Sequence, residues 1–565
     1  MNLKKLSPDL LFSVLLIIST LYYSFTFIDF SIPPFEDAAM IMRYSQHLAN
    51  GHGIVWNIGE APVDGATDFL FMVASAALIK LGFTVGQAVR GIGFASHILT
   101  VLIIYFTNRK IHNGNIPFSF LSGLYFVFGT GLSYVSAYFG TPFFALAAAS
   151  TWTLSLILMR QQNPNLWLIL AFSFSGLITG LIRPEGVILA CLMLLSIIVM
   201  RGLKNSISII VTFGIVFLTL GGSYFLWRWD YFGYPLPNPF YKKGDDGWKW
   251  NTFWISLGNT LRLSLPVLFA FIYAFRSKET TKLAIAYLIP IIGFASAFGL
   301  VSDEMNYGAR FQYATVPIAL MSWIPLTLIG NAGRVGSNAL FEPYRDHMEQ
   351  KQLSGQVRSD VVSLSKGVNF ILLITLAMSL VFYSWYQNCH LALYQQTCDR
   401  PYERDGRLEM ARMLADYRGK GYVIATTEAG LLPYYSGWTA IDTWGLNDQF
   451  IAHNGKITVE YLDEYKPHII MFHDFYSPLV PPKLTDANLA QRWFSMTILL
   501  KTYAEENNYV LAAVFGDSPY DTHYYYVRND FEDSKRLIVQ ISQFRNYFYP
   551  TTGKRSINYA EFQEP

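Results

Sequence analysis

The stretch Phe35–Gly65, FEDAAMIMRYSQHLANGHGIVWNIGEAPVDG, follows an apolar run at Leu11–Phe30. Two adjacent acids, Glu36 and Asp37, stand just beyond the point where that run ends. Carboxylates at the end of a membrane-spanning helix are costly to desolvate, so they usually have a partner or a chemical function. We therefore expect a catalytic base here, facing the outer surface of a membrane.

The composition indicates a membrane protein. The 565 residues are 52% hydrophobic and only 15% charged, whereas soluble domains are about 25% charged. The mean hydropathy is +0.27, and several runs reach the roughly 20 residues needed to cross a bilayer. The net charge of +2 and the absence of a basic cluster give no indication of a nucleic-acid partner.

The apolar runs predict a polytopic α-helical membrane protein with about eleven spans. The first span follows Lys4 and Lys5 and, because no small-residue cleavage site comes after it, is expected to stay uncleaved. The run Phe69–Gly82 is short and contains Lys80, which favours an interfacial or re-entrant segment. The predicted spans are 9–30, 89–107, 116–135, 142–160, 165–182, 186–200, 206–227, 253–275, 282–301, 311–330 and 367–387.

The basic residues set the predicted orientation. With eleven spans and a cytoplasmic amino terminus, the internal loops carry most of the Lys and Arg, including Arg109 and Lys110, as the positive-inside rule requires. Every chemically suggestive loop then falls on the outer face, where convergent polar groups above an apolar bundle are typical of an interfacial active site. These loops are 36–68, 136–141, 183–186, 228–250 and 302–310.

The chain is expected to divide into a membrane module, 1–388, with its first outer loop at 31–88, and a soluble extracytoplasmic domain, 389–565. Helix-like and strand-like segments alternate in the second part, which predicts a small α/β domain. The predicted strands are 422–427, 440–444, 468–473, 509–515 and 524–528, and the predicted helices are 407–418 and 485–507. Cys389 and Cys398 lie in the exported part, where a disulfide is allowed but sequence does not supply its geometry.

Two interpretations of Glu36 and Asp37 stay open. An acid at the start of the helical run Ala38–Ala49 could simply stabilise the helix dipole, by under about 1 kcal/mol. A helix-terminal acid does not explain the number of polar residues nearby, and we take these as candidate substrate contacts: Arg43, Tyr44, Asn57 and Glu60.

Three further outer loops carry candidate donor-phosphate or substrate contacts. Arg183 and Glu185 interrupt an apolar stretch, where an internal ion pair and substrate contact are equally consistent. A loop rich in aromatic and basic residues offers a lysine pair for a phosphate, although aromatics at this depth are also ordinary membrane anchors. The candidates in the second and third loops are Arg228, Asn238, Lys242, Lys243, Asp303, Glu304 and Arg310.

No metal or nucleophile motif is present: HExxH, CxxC, GxSxG and a P-loop are all missing. Asp245 and Asp246 could hold a cation, but acids in a glycine-rich loop are more often merely solvated. We therefore predict no metal site and no required cofactor; a divalent cation is compatible with the sequence but is not indicated by it.

The first outer loop resembles that of the cell-wall arabinofuranosyltransferases, which are GT-C glycosyltransferases that use polyprenyl-phosphate sugars. The segments RPEG (183–186), PLPNPFYKK (235–243), SDEMNYGARF (302–311) and IDTWGLND (441–448) resemble the family in the same order. Glu36 departs from the family's first Asp, and YFGTPF (138–143) replaces a pattern with Met-Glu-Thr. Within the loop the matching residues are Asp37, Ala38, Arg43, Tyr44, Leu48, Gly51, Gly53, Asn57, Gly59, Glu60, Gly65 and Thr67.

The resemblance implies an inverting glycosyltransferase of the bacterial inner membrane, with its active site outside and arabinofuranose as the sugar. Asp37 or Glu36 would remove a proton from an acceptor hydroxyl on a glycan, lipid or protein. Asp37 is the better match, and only one of two adjacent helix positions is expected to face the acceptor. Basic residues, namely Arg43, Arg183, Arg228, Lys242 or Lys243, would stabilise the departing lipid phosphate.

Two other functions share parts of this pattern. A transporter or a flippase for lipid-linked glycans also has many spans, but internal repeats and polar breaks at mid-membrane would be expected of it. Neither is visible in this sequence. A ligase that joins a lipid-linked glycan to another acceptor shares the transfer chemistry and is not separated by composition.

Overall fold

A computed structural model describes residues 7–243, 247–276, 278–301, 303–327, 355–398, 406–474, 488–518, 521–543, 548–549 and 554–555. Up to Cys398 the described chain is almost entirely helical. Its helices are α1 Pro8–Phe27, α2 Glu36–Ala49, α3 Phe69–Lys80, α4 Val85–Phe106, α5 Ile116–Val127, α6 Gly131–Ser136, α7 Thr141–Arg160, α8 Leu166–Ile182, α9 Glu185–Arg201, α10 Ile207–Val216, α11 Gly222–Phe232, α12 Asn238–Lys243, α13 Trp250–Ala274, α14 Lys278–Ala297, α15 Thr315–Thr327, α16 Gly355–His390 and α17 Ala392–Cys398.

The chain is a multi-pass membrane protein. Within the described residues, seven helices are long and apolar enough to cross a bilayer; the total of eleven spans stays a prediction. The run at Phe69 forms only the 12-residue helix α3, as its short length predicted. The seven helices are Pro8–Phe27, Val85–Ile111, Ile116–Ser136, Thr141–Arg160, Lys204–Phe232, Trp250–Ala274 and Thr280–Leu300.

Helix α15 lies at the centre of the bundle, where each of its residues is buried. A helix that is apolar on all sides is stable only when it is surrounded in this way. The indole N–H groups of Trp152 and Trp323 donate to Ser322 and Ser122, both at 3.1 Å. These bonds satisfy the polar atoms of two fully buried rings, as an apolar interior requires.

The two ends of the bundle are chemically different. At the start of α1, Asp9 pairs with Arg109 at 2.8 Å and with Lys110 at 2.7 Å. Asp9 and Glu36 flank the single helix α1, so the Arg109–Lys110 cluster lies at the opposite end of the bundle from Glu36 and Asp37. This agrees with the prediction that the segment at Phe69 does not cross the membrane.

The described residues beyond 405 form a small α/β domain. A five-stranded sheet has the order β2-β1-β3-β5-β4, with β1 parallel to β2 and β3, and β5 antiparallel to β3 and β4. All five predicted strands are confirmed. The elements are α18 Arg407–Leu414, β1 Val423–Thr426, α19 Leu431–Ser436, β2 Thr439–Asp442, α20 Gln449–Asn454, α21 Val459–Tyr465, β3 Ile469–Asp474, α22 Asn488–Glu506, β4 Tyr509–Ser518, β5 Asp521–Arg528 and α23 Ser534–Ser542, with a short pair β6 Phe548–Tyr549 and β7 Lys554–Arg555.

Both faces of this sheet are covered. Ile424 and Ile469 point into one core, whereas their neighbours Ala425 and Ile470 point into another, as alternation along a strand requires. The first core also contains Tyr44 from α2 and its loop partner Trp56, so the first outer loop is part of this domain's core. Cys389 is a free thiol, so the allowed Cys389–Cys398 disulfide is not formed.

Candidate active site

The two acids at the start of α2 face different neighbours, because adjacent helix positions project about 100° apart. The Asp37 carboxylate accepts a hydrogen bond from Arg310 Nη2 at 3.0 Å. The Asp37 side chain is 45% exposed, whereas that of Arg310 is only 11% exposed. Asp37 is therefore the member of the pair that a substrate can reach, and Arg310 is held behind it.

The protonation state of Asp37 suits a base. Burial alone would raise the pKa of Asp37, but the positive charges of Arg310 and Lys243 outweigh burial and lower it below its usual value. The carboxyl is consequently ionised at neutral pH. The Arg310 guanidinium also lies over the Phe139 ring, 4.4 Å from its centroid, which fixes its position against Asp37.

Glu36 has a different environment. One of its oxygens accepts hydrogen bonds from the backbone N–H groups of Gly430 and, at 3.0 Å, Leu431, at the start of α19. The other oxygen lies 3.7 Å from Arg407 of α18. A side chain at Gly430 would collide with the Glu36 backbone carbonyl. Glu36 thus joins the membrane module to the C-terminal domain through a helix N-terminus.

A buried ion pair lies beside Asp37. Arg183 contacts Asp68 directly and lies 3.4 Å from Glu185, while its guanidinium stacks on Phe311 at 4.1 Å. Burial raises the pKa of Asp68, although the charge of Arg183 opposes the shift. Of the two interpretations left open for Arg183, the internal ion pair is present, and its main partner is Asp68, which the sequence did not single out.

Arg43, Tyr44, Asn57 and Glu60 lie in the interface with the C-terminal domain. The guanidinium of Arg43 donates to the Trp56 carbonyl at 2.8 Å, to two carbonyls of the C-terminal domain and to Asn57 Oδ1 at 3.0 Å. Asn57 in turn donates to Glu60 at 2.9 Å, and Tyr44 is fully buried. These hydrogen bonds are made within the protein, which favours a structural role over the predicted substrate contact.

The residues of the aromatic and basic loop at 228–250 also have different partners. Arg228 pairs with Asp64 in a buried contact, and burial raises the pKa of Asp64 to about 6. Lys242 is 3% exposed and donates to the Gly455 carbonyl at 2.9 Å, so it also connects to the C-terminal domain. The other member of the predicted lysine pair, Lys243, has its charge near Asp37.

Five further residues that the sequence singled out lie in the loops at 228–250 and 302–310. The backbone of Asp303 and Glu304 lies in a short 3₁₀ segment that leads to Arg310, but their side chains lie outside the described residues. Asp245 and Asp246 lie outside them entirely. Asn238 is 2% exposed and donates its backbone N–H to the Asp64 carbonyl at 3.0 Å, which places it under the first outer loop.

The C-terminal domain contributes charges that were not predicted. Glu428 contacts Arg407 directly and lies 3.0 Å from His473 Nδ1. Its negative charge is near enough to influence Asp37, and its own pKa is lowered by Arg407 and His473 against the effect of burial. Glu428 follows the end of strand β1, which is the signal that could have identified it.

No metal-binding arrangement of three or more His, Cys, Asp or Glu side chains occurs within the described ranges. Independence from metals stays a prediction. The chemistry available around Asp37, which we call the Asp37 cleft, is that of one accessible carboxylate, the two buried guanidinium groups of Arg310 and Arg183, and Lys243.

Two solved structures of one protein have a similar fold. ArnT from Cupriavidus metallidurans in the apo state aligns with a TM-score of 0.54 and 13% identity, over 92% of this chain and 98% of that one. The same protein bound to undecaprenyl phosphate aligns with a TM-score of 0.55 and 12% identity, over 91% of this chain and 97% of that one. The chain has the GT-C fold.

The remaining comparisons are weaker. The apo oligosaccharyltransferase of Archaeoglobus fulgidus aligns with a TM-score of 0.47 and 10% identity, over 94% of this chain and 76% of that one. Residues 392–531 match a family model described as a domain of unknown function, DUF8728. No curated protein matches the sequence significantly. The predicted GT-C fold is confirmed, whereas the likeness to the arabinofuranosyltransferases stays a prediction.

Proposed function

We propose that this protein is an inverting glycosyltransferase that moves a sugar from a polyprenyl phosphate to an acceptor hydroxyl at the outer face of a membrane. The observation that carries the proposal is the accessible Asp37 carboxylate beside the buried Arg310, at the end of an apolar bundle. A lipid-linked donor can lie against such a bundle with its phosphate and sugar at this end. The ArnT structure with undecaprenyl phosphate supports this class of donor.

The reaction that this site suits is a single displacement. Asp37 accepts the proton of the acceptor hydroxyl while the hydroxyl oxygen attacks the anomeric carbon. The bond from that carbon to the phosphate oxygen breaks, its electron pair stays on the phosphate, and the carbon is inverted. Phosphate is a good leaving group, so a carboxylate with a lowered pKa is a sufficient base.

Three cations are placed to stabilise the leaving phosphate. The charge of Lys243 lies near Asp37, and the guanidinium groups of Arg310 and Arg183 are fixed over aromatic rings close to it. Charges that are already positioned, such as the buried Arg310, require little reorganisation when negative charge develops. Under this proposal, Arg310 acts both on the pKa of Asp37 and on the phosphate.

The finer assignments are part of the same proposal. The sugar is arabinofuranose, the membrane is the bacterial inner membrane, and the amino terminus is cytoplasmic. The Arg109–Lys110 cluster at the opposite end of the bundle supports this orientation through the positive-inside rule. The acceptor is a glycan, lipid or protein hydroxyl presented from the side of the C-terminal domain.

The test is transfer by the purified chain supplied with polyprenyl-phospho-arabinose and related polyprenyl-phospho-sugars, with octyl glycosides as acceptors. Asp37→Asn is expected to reduce transfer by about 10²- to 10⁴-fold, the usual contribution of a general base. Asp230→Asn, at an exposed acid late in α11, serves as the matched control and is expected to retain full activity. Equal transfer by wild type and Asp37→Asn would contradict the proposal.

A further inference from the structure

A cavity of about 340 Å³ lies between the second half of α2 and the region around α19. We call it the seam cavity, and the side chains that define it are Gln46, His47, Asn50, Arg418, Tyr434 and Tyr435. Gln46 and Asn50 follow Asp37 by nine and thirteen residues, which is roughly 14 to 20 Å along a helix. The seam cavity is therefore separate from the Asp37 cleft but connected to it by one helix.

The α2 side of the seam cavity is polar and uncharged. The amide side chains of Gln46 and Asn50 form no hydrogen bond within the described part of the chain. The ring of His47 bonds to the Val55 carbonyl through Nδ1 at 3.0 Å. Burial lowers the pKa of His47 to about 4, so the imidazole is neutral, Nδ1 carries the hydrogen, and Nε2 is an acceptor.

The opposite side offers aromatic rings and one fixed guanidinium. The rings of Tyr434 and Tyr435 lie 4.8 Å apart at 76° to one another, so their faces point in different directions. Arg418 donates to the Ser436 carbonyl at 3.1 Å and to the Tyr435 carbonyl at 2.6 Å. These bonds hold the guanidinium beside the rings, where an exposed arginine would otherwise be mobile.

The combination determines the class of ligand. Sugars present flat C–H faces that pack on aromatic rings and hydroxyl edges that both donate and accept hydrogen bonds. The seam cavity supplies aromatic rings and one guanidinium on one wall and amide and imidazole groups on the other, and its volume lies within the 300–1,000 Å³ range of small-molecule sites. Among the described side chains that line the cavity, Arg418 is the one cation with a nitrogen that makes no hydrogen bond, because Arg43 at the cavity floor uses all three of its nitrogens.

We propose that the seam cavity binds a neutral oligosaccharide, as a subsite for the acceptor glycan beyond the residue that reacts at Asp37. Saccharide binding follows from the cavity itself, whereas its identification as the acceptor rests on the proposed function. A chain that passes from the seam cavity along α2 reaches Asp37, so the cavity selects extended acceptors over single sugars.

Binding is tested without any donor. Saturation-transfer NMR on the purified full chain uses neutral hexasaccharides of arabinofuranose, mannose and glucose as probes. At least one probe is expected to bind, with at least tenfold lower affinity in Tyr434→Ala and severalfold lower affinity in Gln46→Ala. Tyr434→Phe keeps the ring and is expected to retain binding, and Phe450→Ala, at an exposed ring outside the cavity, is the control.

Two results would overturn the proposal: no binding of any of the three probes to wild type, or equal binding to wild type and both alanine variants. Gln46 makes no hydrogen bond in the described chain, so Gln46→Ala tests the site even where Tyr434→Ala fails to fold. A glycosyl-transfer assay is the independent test. Tyr434→Ala is expected to raise KM for a hexasaccharide acceptor at least tenfold and to leave KM for an octyl monosaccharide unchanged. Saccharide binding without any transfer would contradict the proposed function but would still support the saccharide site.

Discussion

Glu36→Gln and Asp37→Asn change neighbouring carboxylates by one atom each, yet the structure predicts opposite consequences. Glu36 accepts hydrogen bonds from two backbone N–H groups at the start of α19 and faces Arg407. Glutamine keeps an acceptor oxygen but loses the charge, which makes such bonds roughly half as strong. Charge-assisted bonds contribute about 1.5–3 kcal/mol each and neutral ones about 1 kcal/mol.

The expected cost of Glu36→Gln is therefore about 2 kcal/mol, which is roughly thirtyfold in the equilibrium between the docked and undocked C-terminal domain. Asp37→Asn keeps an acceptor oxygen for the buried Arg310 and removes the charge of an acid that is 45% exposed, which costs under about 1 kcal/mol. The same substitution removes the proposed base, which costs about 10²- to 10⁴-fold in kcat/KM.

Both quantities are measurable on the same samples. Limited proteolysis and thermal unfolding report the docking of the C-terminal domain, and transfer from a polyprenyl-phospho-sugar reports the chemistry. We expect Glu36→Gln to be more readily cleaved and partly active, and Asp37→Asn to be stable and nearly inactive. The reverse pattern, a stable and inactive Glu36→Gln beside an active Asp37→Asn, would refute this assignment of the two acids.

Three further substitutions test the charges around the cleft. Arg310→Gln removes the main charge that lowers the pKa of Asp37; since a base is active only above its pKa, the acid limb of the pH–rate profile is expected to move to higher pH, and an unmoved limb would contradict this. Arg183→Met leaves the buried Asp68 without its main partner, which is expected to cost about 3–5 kcal/mol of stability. In thermal unfolding, the double variant Arg183→Met with Asp68→Leu is expected to recover part of that loss. A double variant as destabilised as Arg183→Met alone would contradict the assigned ion pair. Burial lowers the pKa of Lys242 to about 8 in the folded protein, whereas the pKa of an unfolded lysine is about 10.4. Between these two values the unfolded chain binds more protons, so the free energy of unfolding of wild type is expected to rise with pH. Lys242→Met is expected to lack that rise.

The helices and strands could be predicted from the sequence because the patterns that specify them are local. The short length of the run at Phe69 predicted the 12-residue helix α3, and the apolar residues around Ile424 and Ile470 predicted strands β1 and β3. A buried strand or a spanning helix is specified by its own residues and by the length of the run. The mixed order of the sheet, in contrast, depends on which strands meet, and no local pattern determines that.

The partners within the site could not be predicted, because they lie far apart in the chain. Asp37 and Arg310 are 273 residues apart, and Glu36 is 394 residues from Gly430. Arg43 and Arg310 were both candidate substrate contacts from the sequence, yet Arg310 contacts Asp37 whereas Arg43 lies in the interface with the C-terminal domain. Arg43 is enclosed by carbonyls of the C-terminal domain, and nothing in its own sequence neighbourhood indicates that the domain folds back onto α2.

The proposed function requires a lipid-linked phosphate to bind beside Asp37. An experimental structure of the full chain with polyprenyl phosphate tests it directly. We expect the phosphate between Lys243 and the guanidinium groups of Arg310 and Arg183, with the lipid chain along the bundle. A phosphate bound instead at the opposite end, near Arg109 and Lys110, with the Asp37 cleft empty, would contradict the account.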